Sequence, residues 1–405
     1  MQKKYIKNTV LVVLIFLGVF FVNAQNSFYS SYGLGKKYIE STTRMAGLGY
    51  SGSAVYDSLN ITSYNPALWH SFYTVSLQGE LNYSSMTAGK ADGQFQSADL
   101  TGFTVKMPLG NYSGLAFGVK PLYRTNSETI INESIDFDNG TLNYENDFLT
   151  KGGVSEFYIG GGYRVTKYLS AGLVAKFLFG KYSSRLRTET STNNYYLNSN
   201  KSVKGRQLGG GLYWRVPRNY SIALYYDHNL DFQYDRKVAY QYGPGDTTGY
   251  KDINFPSRLQ LGFAKNLKPN LVLSSDIVVS HMPQSFSDFS IYGQGEYQDA
   301  YQVGLGLEQR PSNDYNATFF ERMYYRIGGY YRQNDYVIDN EKPTEMGVSA
   351  GFGLPFYNRF SRLDVAVIYS VTDGYLSSDI GKENKITIDL EITSGGLWFF
   401  NALQK

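Results

Sequence analysis

Short segments in which apolar and polar residues alternate recur along this chain, and no other feature limits its fold so tightly. Near the C-terminus, Ile386, Ile388, Leu390 and Ile392 alternate with Thr387, Asp389 and Glu391. A side-chain period of two puts the two sets on opposite faces of a β-strand. The pattern returns in Val75, Leu77 and Leu81, in Ala171 to Phe179, in Leu271 to Val279, in Tyr301 to Leu307 and in Leu363 to Tyr369. About fourteen such strands can be drawn, near 73–84, 97–108, 113–126, 154–166, 168–181, 204–216, 220–233, 257–267, 270–282, 299–309, 322–334, 345–356, 361–373 and 384–397. Each is close to the ~9–11 residues that a tilted strand needs to cross a bilayer.

The charges decide which face meets what. Glu80, Lys176, Asp276, Glu308, Asp364, Asp389 and Glu391 all fall on the non-apolar face. A charge pointing into hydrocarbon costs on the order of 2–4 kcal/mol for Lys or Arg, and somewhat less for acids. The apolar face therefore meets lipid, and these seven residues face a lumen. The connections sort the same way. Short ones fall at 109–113, 165–168, 216–220, 266–270 and 355–361, and long polar ones at 127–153, 182–203, 234–256, 283–298, 335–344 and 374–383. Short turns on one rim and long loops on the other mark an outer-membrane barrel; a soluble sandwich has no reason to sort its loops. The stretch 310–321 is too long for the short rim. Modest loops argue against a large docking platform.

The N-terminus reads as a cleaved leader over residues 1–24. Lys3, Lys4 and Lys7 precede an apolar run from Val10 to Val22, and Val22-Asn23-Ala24 supplies small residues for cleavage. Such a leader implies export to the outer membrane of a Gram-negative-type bacterium. Removing its three lysines takes the 38 basic residues to 35, equal to the 35 acids. A neutral mature chain gives no reason to expect nucleic acid as a partner. There is no cysteine, which excludes disulfides, thiolate metal sites and a lipid-modified N-terminus. With 38 Tyr, 25 Phe and only 11 Pro, the composition favours strands and aromatic belts. Trp69, Trp214 and Trp398 each fall beside a strand end assigned to the short-turn rim, where an indole suits the lipid–water boundary.

Residues 25–72 do not alternate. They are rich in Gly and Ser and include "RMAGLGYSGSAVYDSLNITSYNPALW", in which Asn65-Pro66-Ala67 stands just before the first strand. With "YYRIGGYYR", "GVSAGFGLPF", "SRLDVAVIYS" and "ENKITIDLEI" in that order downstream, the chain resembles the FadL/OmpP1/TodX family of outer-membrane transporters for hydrophobic compounds, in its short-loop branch. The resemblance implies a fourteen-stranded barrel over 73–405 with an N-terminal plug, or hatch, over 25–72. It places Asn65, Pro66, Ala67, Gly47 and Gly49 in that gating segment. Pro121 lies inside the third strand, where proline removes a ladder hydrogen bond. In the family an inward kink of this strand opens a lateral gap for ligand, and Pro121 with Gly118 would build it here.

Other motifs carry less. Gly47-Leu48-Gly49-Tyr50-Ser51-Gly52 spells a dinucleotide-binding fingerprint, but it lacks the preceding strand and following helix that the chemistry needs. His70, His228 and His281 are scattered, and Asp227-His228 point to opposite faces of one strand, so no nucleophile–base–orienter set is visible. No enzyme activity, metal or cofactor is expected. The function expected is passive transport of a hydrophobic small molecule, fatty acid-like or aromatic, by a monomer with lateral exit into outer-membrane lipid. The alternatives are a partner-binding barrel of a secretion or surface-attachment machine and a polar-solute porin.

Overall fold

The computed structural model describes residues 34–39, 41–59, 65–88, 94–137, 140–190, 193–242, 244–283, 296–312, 314, 316–337, 341–356, 360–373 and 382–396. The leader and Trp398 lie outside them. Fourteen antiparallel strands close into one barrel. In chain order these are β1 (Val75–Ala88), β2 (Gln94–Pro108), β3 (Ser113–Phe137), β4 (Gly140–Arg164), β5 (Leu169–Thr190), β6 (Asn194–Val216) and β7 (Tyr220–Tyr240). The second half adds β8 (Ser257–Lys268), β9 (Leu271–His281), β10 (Ala300–Gln309), β11 (Tyr324–Gln333), β12 (Thr344–Phe356), β13 (Ser361–Asp373) and β14 (Glu383–Gly396). Each pairs with its neighbour in sequence, and β14 returns to β1 along a ladder from Glu383↔Ala88 to Gly396↔Val75. Closure pairs every strand on both sides for at least part of its length, as hydrocarbon surroundings demand.

The alternation becomes two faces of opposite character. Leu173, Leu305, Val348 and Ile386 point outward and are exposed, while Lys176, Asp276, Glu308, Asp364 and Glu391 are buried inside. A protein with apolar residues outside and charges inside is stable only with lipid around it, so this is an outer-membrane barrel.

Strand length is uneven. β3 to β7 run 25, 25, 22, 23 and 21 residues, whereas β8 to β11 run 12, 11, 10 and 10. The long connections expected at 127–153, 182–203 and 234–256 are therefore mostly strand. Their Asn, Thr and Tyr residues continue the ladders as far as Phe137↔Gly140 and Glu189↔Asn194. Polar residues hid these strands because both faces meet water once the chain has left the membrane. With about 10 residues of each strand crossing lipid, this side of the barrel rises about 30 Å above it. A short strand, Asp246–Asp252, folds back on β7.

The short rim carries aromatic residues. Tyr112, Tyr168 and Trp214 are exposed there, and in the long connection between β10 and β11 so are Phe319 and Phe320. The lipid-facing Tyr325 hydroxyl donates to the Phe320 carbonyl at 3.0 Å, which holds that connection against the wall. Trp69 is a correction to the rim assignment. It sits at the same depth but inside the lumen, fully buried, with its ring 6.2 Å from Tyr158. It belongs to a 3-10 turn, Pro66–Ser71, that packs in the barrel rather than at its outer edge.

Candidate functional site

The described part of the N-terminal segment fills the lower lumen. A helical turn, Thr43–Ala46, starts where the Thr42 hydroxyl accepts the Met45 N–H. The 3-10 turn Pro66–Ser71 starts where the Asn65 side chain accepts the Ala67 N–H at 3.1 Å, and the same amide donates to Leu212 O at 3.2 Å. Between the two, residues 47–55 run along a wall of glycines. A side chain built on Gly328 would put Cβ 2.1 Å from the Leu48 carbonyl carbon, and one on Gly162 would put it 2.1 Å from Pro66 O. Gly49 has φ +63°, and its own Cβ would meet Gly329 O at 2.4 Å. The glycine runs of the barrel strands are the space in which the plug backbone lies.

Charges then fasten it. Six side chains, all buried except the half-buried Asp57, form a closed ring in which arginine and acid alternate. Around it, Arg44–Glu308 is 2.8 Å, Glu308–Arg326 3.0 Å, Arg326–Asp364 2.6 Å, Asp364–Arg362 2.6 Å, Arg362–Asp57 2.9 Å and Asp57–Arg44 3.5 Å. Arg310 joins Glu308 from outside the ring at 3.2 Å. Arg44 and Asp57 belong to the plug, and the others to β10, β11 and β13. Burial alone would raise the Asp57 carboxyl, but Arg362 and Arg44 hold it well below the usual carboxylate range. Two further lumen carboxylates bind plug backbone. Glu391 accepts the Thr43 N–H at 3.1 Å, and Asp276 accepts those of Gly52 and Ser53 at 3.0 and 3.2 Å.

Three of the seven lumen-facing residues read from the alternation, Asp276, Glu308 and Glu391, thus hold the plug directly, and Asp364 holds the wall arginines Arg326 and Arg362 behind it. Glu80 instead pairs with Lys120 at 2.9 Å and Lys176 with Asp227 at 3.0 Å, both within the wall. Asp389 accepts the Asn82 amide at 2.5 Å. The residues expected to gate the hatch, Gly47, Gly49, Asn65, Pro66 and Ala67, sit in the fastened part. Their geometry is that of packing against glycines and capping a turn, not of a hinge.

Above the plug lies a chamber enclosing about 2000 Å³ together with its open mouth. Its two sides differ. β1, β11, β12 and β14 present Glu80, Arg332, Glu345, Lys385 and Asp389, whereas Leu122, Tyr123 and Phe255 form an apolar patch, bordered by the pair Lys37–Asp335 to which the Tyr123 hydroxyl donates. Leu122, Tyr123 and Phe255 belong to a larger buried cluster with Leu178, Phe232 and Tyr234 on the inner face of the tall wall.

The wall itself is interrupted beside the chamber. The β2–β3 ladder runs from Pro108↔Gly114 to Phe103↔Val119, although both strands continue. Two irregularities coincide with this seam. Leu122 is extruded between the pairs Pro121↔Ser155 and Tyr123↔Val154, and Thr101 between Glu80↔Gly102 and Leu81↔Leu100. Phe95, Ser97 and Thr101 of β2 and Lys120 to Tyr123 of β3 all line the chamber, so it reaches both lips of the seam. Gly118 takes no part in the bend. It stays in register with Thr104 and Tyr158, and its missing side chain makes room for the Tyr158 hydroxyl on Thr104.

A two-residue strand, Lys36–Lys37, occupies part of the gap by pairing with Arg124 and Tyr123 of β3. Lys36 Nζ reaches across to Asn82 and Ser84 of β1, both at 3.4 Å, and to Asp99 of β2 at 3.9 Å. Lys37 binds Asp335 at 2.9 Å. Sequence reasoning passed over this strut and the plug's Arg44 and Asp57. The signal for the ring was the directly opposed pair Glu308↔Arg326 on the lumen faces of adjacent strands, which calls for further charges from the plug. The histidines remain apart: His70 contacts Ala67 O at 2.7 Å within the plug, and Asp227 is buried while His228 faces outward.

Solved structures with this architecture include a Pseudomonas aeruginosa FadL homologue (TM-score 0.59, 11% identity, covering 88% of this chain and 98% of that one). The Pseudomonas putida toluene transporter TodX gives 0.60 at 13% identity, covering 89% and 100%. The Ralstonia pickettii toluene transporter TbuX gives 0.55 at 12% identity, covering 88% and 98%. At these identities the likeness is one of fold. No curated protein sequence matches the chain. A family model described as BamG matches residues 1–402, nearly the whole length: the chain belongs to the BamG family.

Proposed function

We propose that this barrel passes small molecules with a hydrophobic part between the outer membrane and its lumen, sideways through the seam between β2 and β3. The observation that carries this reading is the end of the β2–β3 ladder at Phe103↔Val119 beside a chamber lined by both lips. Backbone groups released from a ladder at membrane depth are tolerable only where they border a cavity or find other partners. Movement through the floor is disfavoured, because the plug is held by the buried ring and by the glycine cradles. The likeness of fold to hydrophobic-compound channels supports the reading.

Closing the seam tests it. The variant Pro121→Val restores a backbone donor and suits a strand, and deleting Thr101 in addition removes the opposite bulge. The double variant should keep heat-modifiable barrel mobility on a gel but lose transfer of the uncharged probe pyrene-labelled dodecanol into cells. Transfer at the wild-type rate would remove the seam from the mechanism. Lys36→Ala, which withdraws the strut, should instead speed transfer.

One observation favours a second reading, a partner-binding barrel of a secretion or surface-attachment machine. The wall formed by β3 to β7 stands well clear of the membrane, a larger platform than short loops would give. Trimming the hairpins at 128–147 and 186–200 would abolish partner capture under this reading and leave probe transfer intact under the first.

A further inference from the structure

The carboxylates of the chamber are not equivalent. Glu80 holds Lys120 at 2.9 Å, Asp227 holds Lys176 at 3.0 Å, Asp335 holds Lys37 at 2.9 Å, and Glu345 holds both Arg332 at 2.8 Å and Lys385 at 3.3 Å. Asp389 has no such cation among the described residues. Its Oδ1 accepts the Asn82 amide, and Asn82 is itself oriented by Lys36, whose Nζ lies 3.4 Å from Asn82 Oδ1 and 3.9 Å from Asp99. Lys36 is therefore matched by Asp99, and Asp389 Oδ2 is left facing the chamber without a hydrogen bond among the described residues. Asp389 is half-buried, so a ligand in the chamber can reach it.

The nearby cations Lys36 and Lys385 are engaged with Asp99 and Glu345, and a carboxylate partly withdrawn from water with no cation in contact attracts a cationic donor more strongly than a neutral one. Leu122 and Phe255, which line the same chamber and belong to one apolar cluster, suit an alkyl or aryl group. We propose that the chamber binds an amphiphile with a primary ammonium head, which donates to Asp389 Oδ2 while its tail lies along this apolar patch toward the seam. This rests on the chamber being a ligand site, as argued above, and it assigns that site a substrate class. A pure hydrocarbon would leave Asp389 unmatched, and a carboxylate head would face it charge to charge.

Three probes that share a tail test the head: octylamine, octanol and octanoate, titrated calorimetrically into the barrel in lipid nanodiscs, with empty nanodiscs subtracted. Octylamine should bind tightest and octanoate weakest. Asp389→Asn should weaken octylamine about tenfold or more while shifting octanol by less than about threefold, since a charge-assisted hydrogen bond is roughly twice as strong as a neutral one. Octanoate binding as tightly as octylamine to the wild-type barrel would overturn the proposal without reference to any variant. So would an unchanged octylamine affinity in Asp389→Asn. If octylamine binds as stated but closing the seam leaves probe transfer intact, lateral passage fails and the ammonium site stands. If closing the seam blocks transfer while the three heads bind alike, the site fails and passage stands.

Discussion

Removing Arg44 and removing Asp364 should loosen the plug to different extents, and the ring fixes the order. Around Glu308, Asp364 and Asp57 stand four arginines, Arg44, Arg310, Arg326 and Arg362. In Arg44→Met three arginines face three acids. Glu308 keeps Arg326 and Arg310, and Asp57 keeps Arg362 at 2.9 Å. No buried charge is stranded, so the loss should lie near the lower end of the roughly 3–5 kcal/mol for breaking a buried pair. In Asp364→Asn four arginines face two acids, and both Arg326 and Arg362 lose a contact of 2.6 Å. Both arginines belong to the wall, so that loss is felt whether the plug is in or out. Since about 1.4 kcal/mol is a factor of ten, plug opening should rise about 100-fold in Arg44→Met and far less in Asp364→Asn, whose two lost contacts join wall to wall. Hydrogen exchange of the amides of Thr43, Gly52 and Ser53, which are bonded to Glu391 and Asp276, reads this opening directly. Exchange at wild-type rates in both variants would mean that the glycine cradles alone hold the plug. Faster exchange in Asp364→Asn than in Arg44→Met would refute the assignment of Arg44 as the plug's fastening.

Gly49→Ala should undock the adjoining plug residues, because it combines a left-handed φ with a Cβ 2.4 Å from Gly329 O, whereas Gly249→Ala meets nothing within 4 Å and should be silent; protease sensitivity of the plug separates them. Leu305→Arg puts a charge on the lipid face and should cost about 2–4 kcal/mol of barrel stability, while Gln302→Arg, which lines the chamber, should cost far less; denaturant midpoints in liposomes give the comparison. Cysteines at Ser199 or Thr247 in the tall wall should react with an impermeant thiol reagent on intact cells, and those at Thr166 or Lys268 on the short rim should not; the opposite pattern would invert the barrel in the membrane.

The sequence alone determined the number of strands, the face each turns to lipid and the rim on which the short turns lie. These follow from local chemistry, because a lipid-facing strand must alternate and a charge at mid-depth must turn inward. The alternation in "KITIDLEI" placed Ile388 outside and Glu391 inside without reference to any other strand. It also limited what could be seen. Once β3 to β7 leave the membrane, both faces meet water, the alternation fades, and 127–137 and 194–203 pass for loops. Pro121 marked the seam from sequence because proline lacks a donor wherever it stands. Thr101, which is extruded opposite, carries no such mark, and Gly118 only makes room for Tyr158.

What the lumen charges do was decided by tertiary structure. Glu308 and Asp389 look alike in a strand pattern, both being acids at inward positions. One is locked to three arginines, of which Arg44 arrives from a segment 264 residues away, and the other is left open to the chamber. Which carboxylate meets a cation depends on where the plug backbone comes to rest. The glycines of eight separate barrel strands and the stagger of the closed barrel fix that position together, and no stretch of sequence contains it.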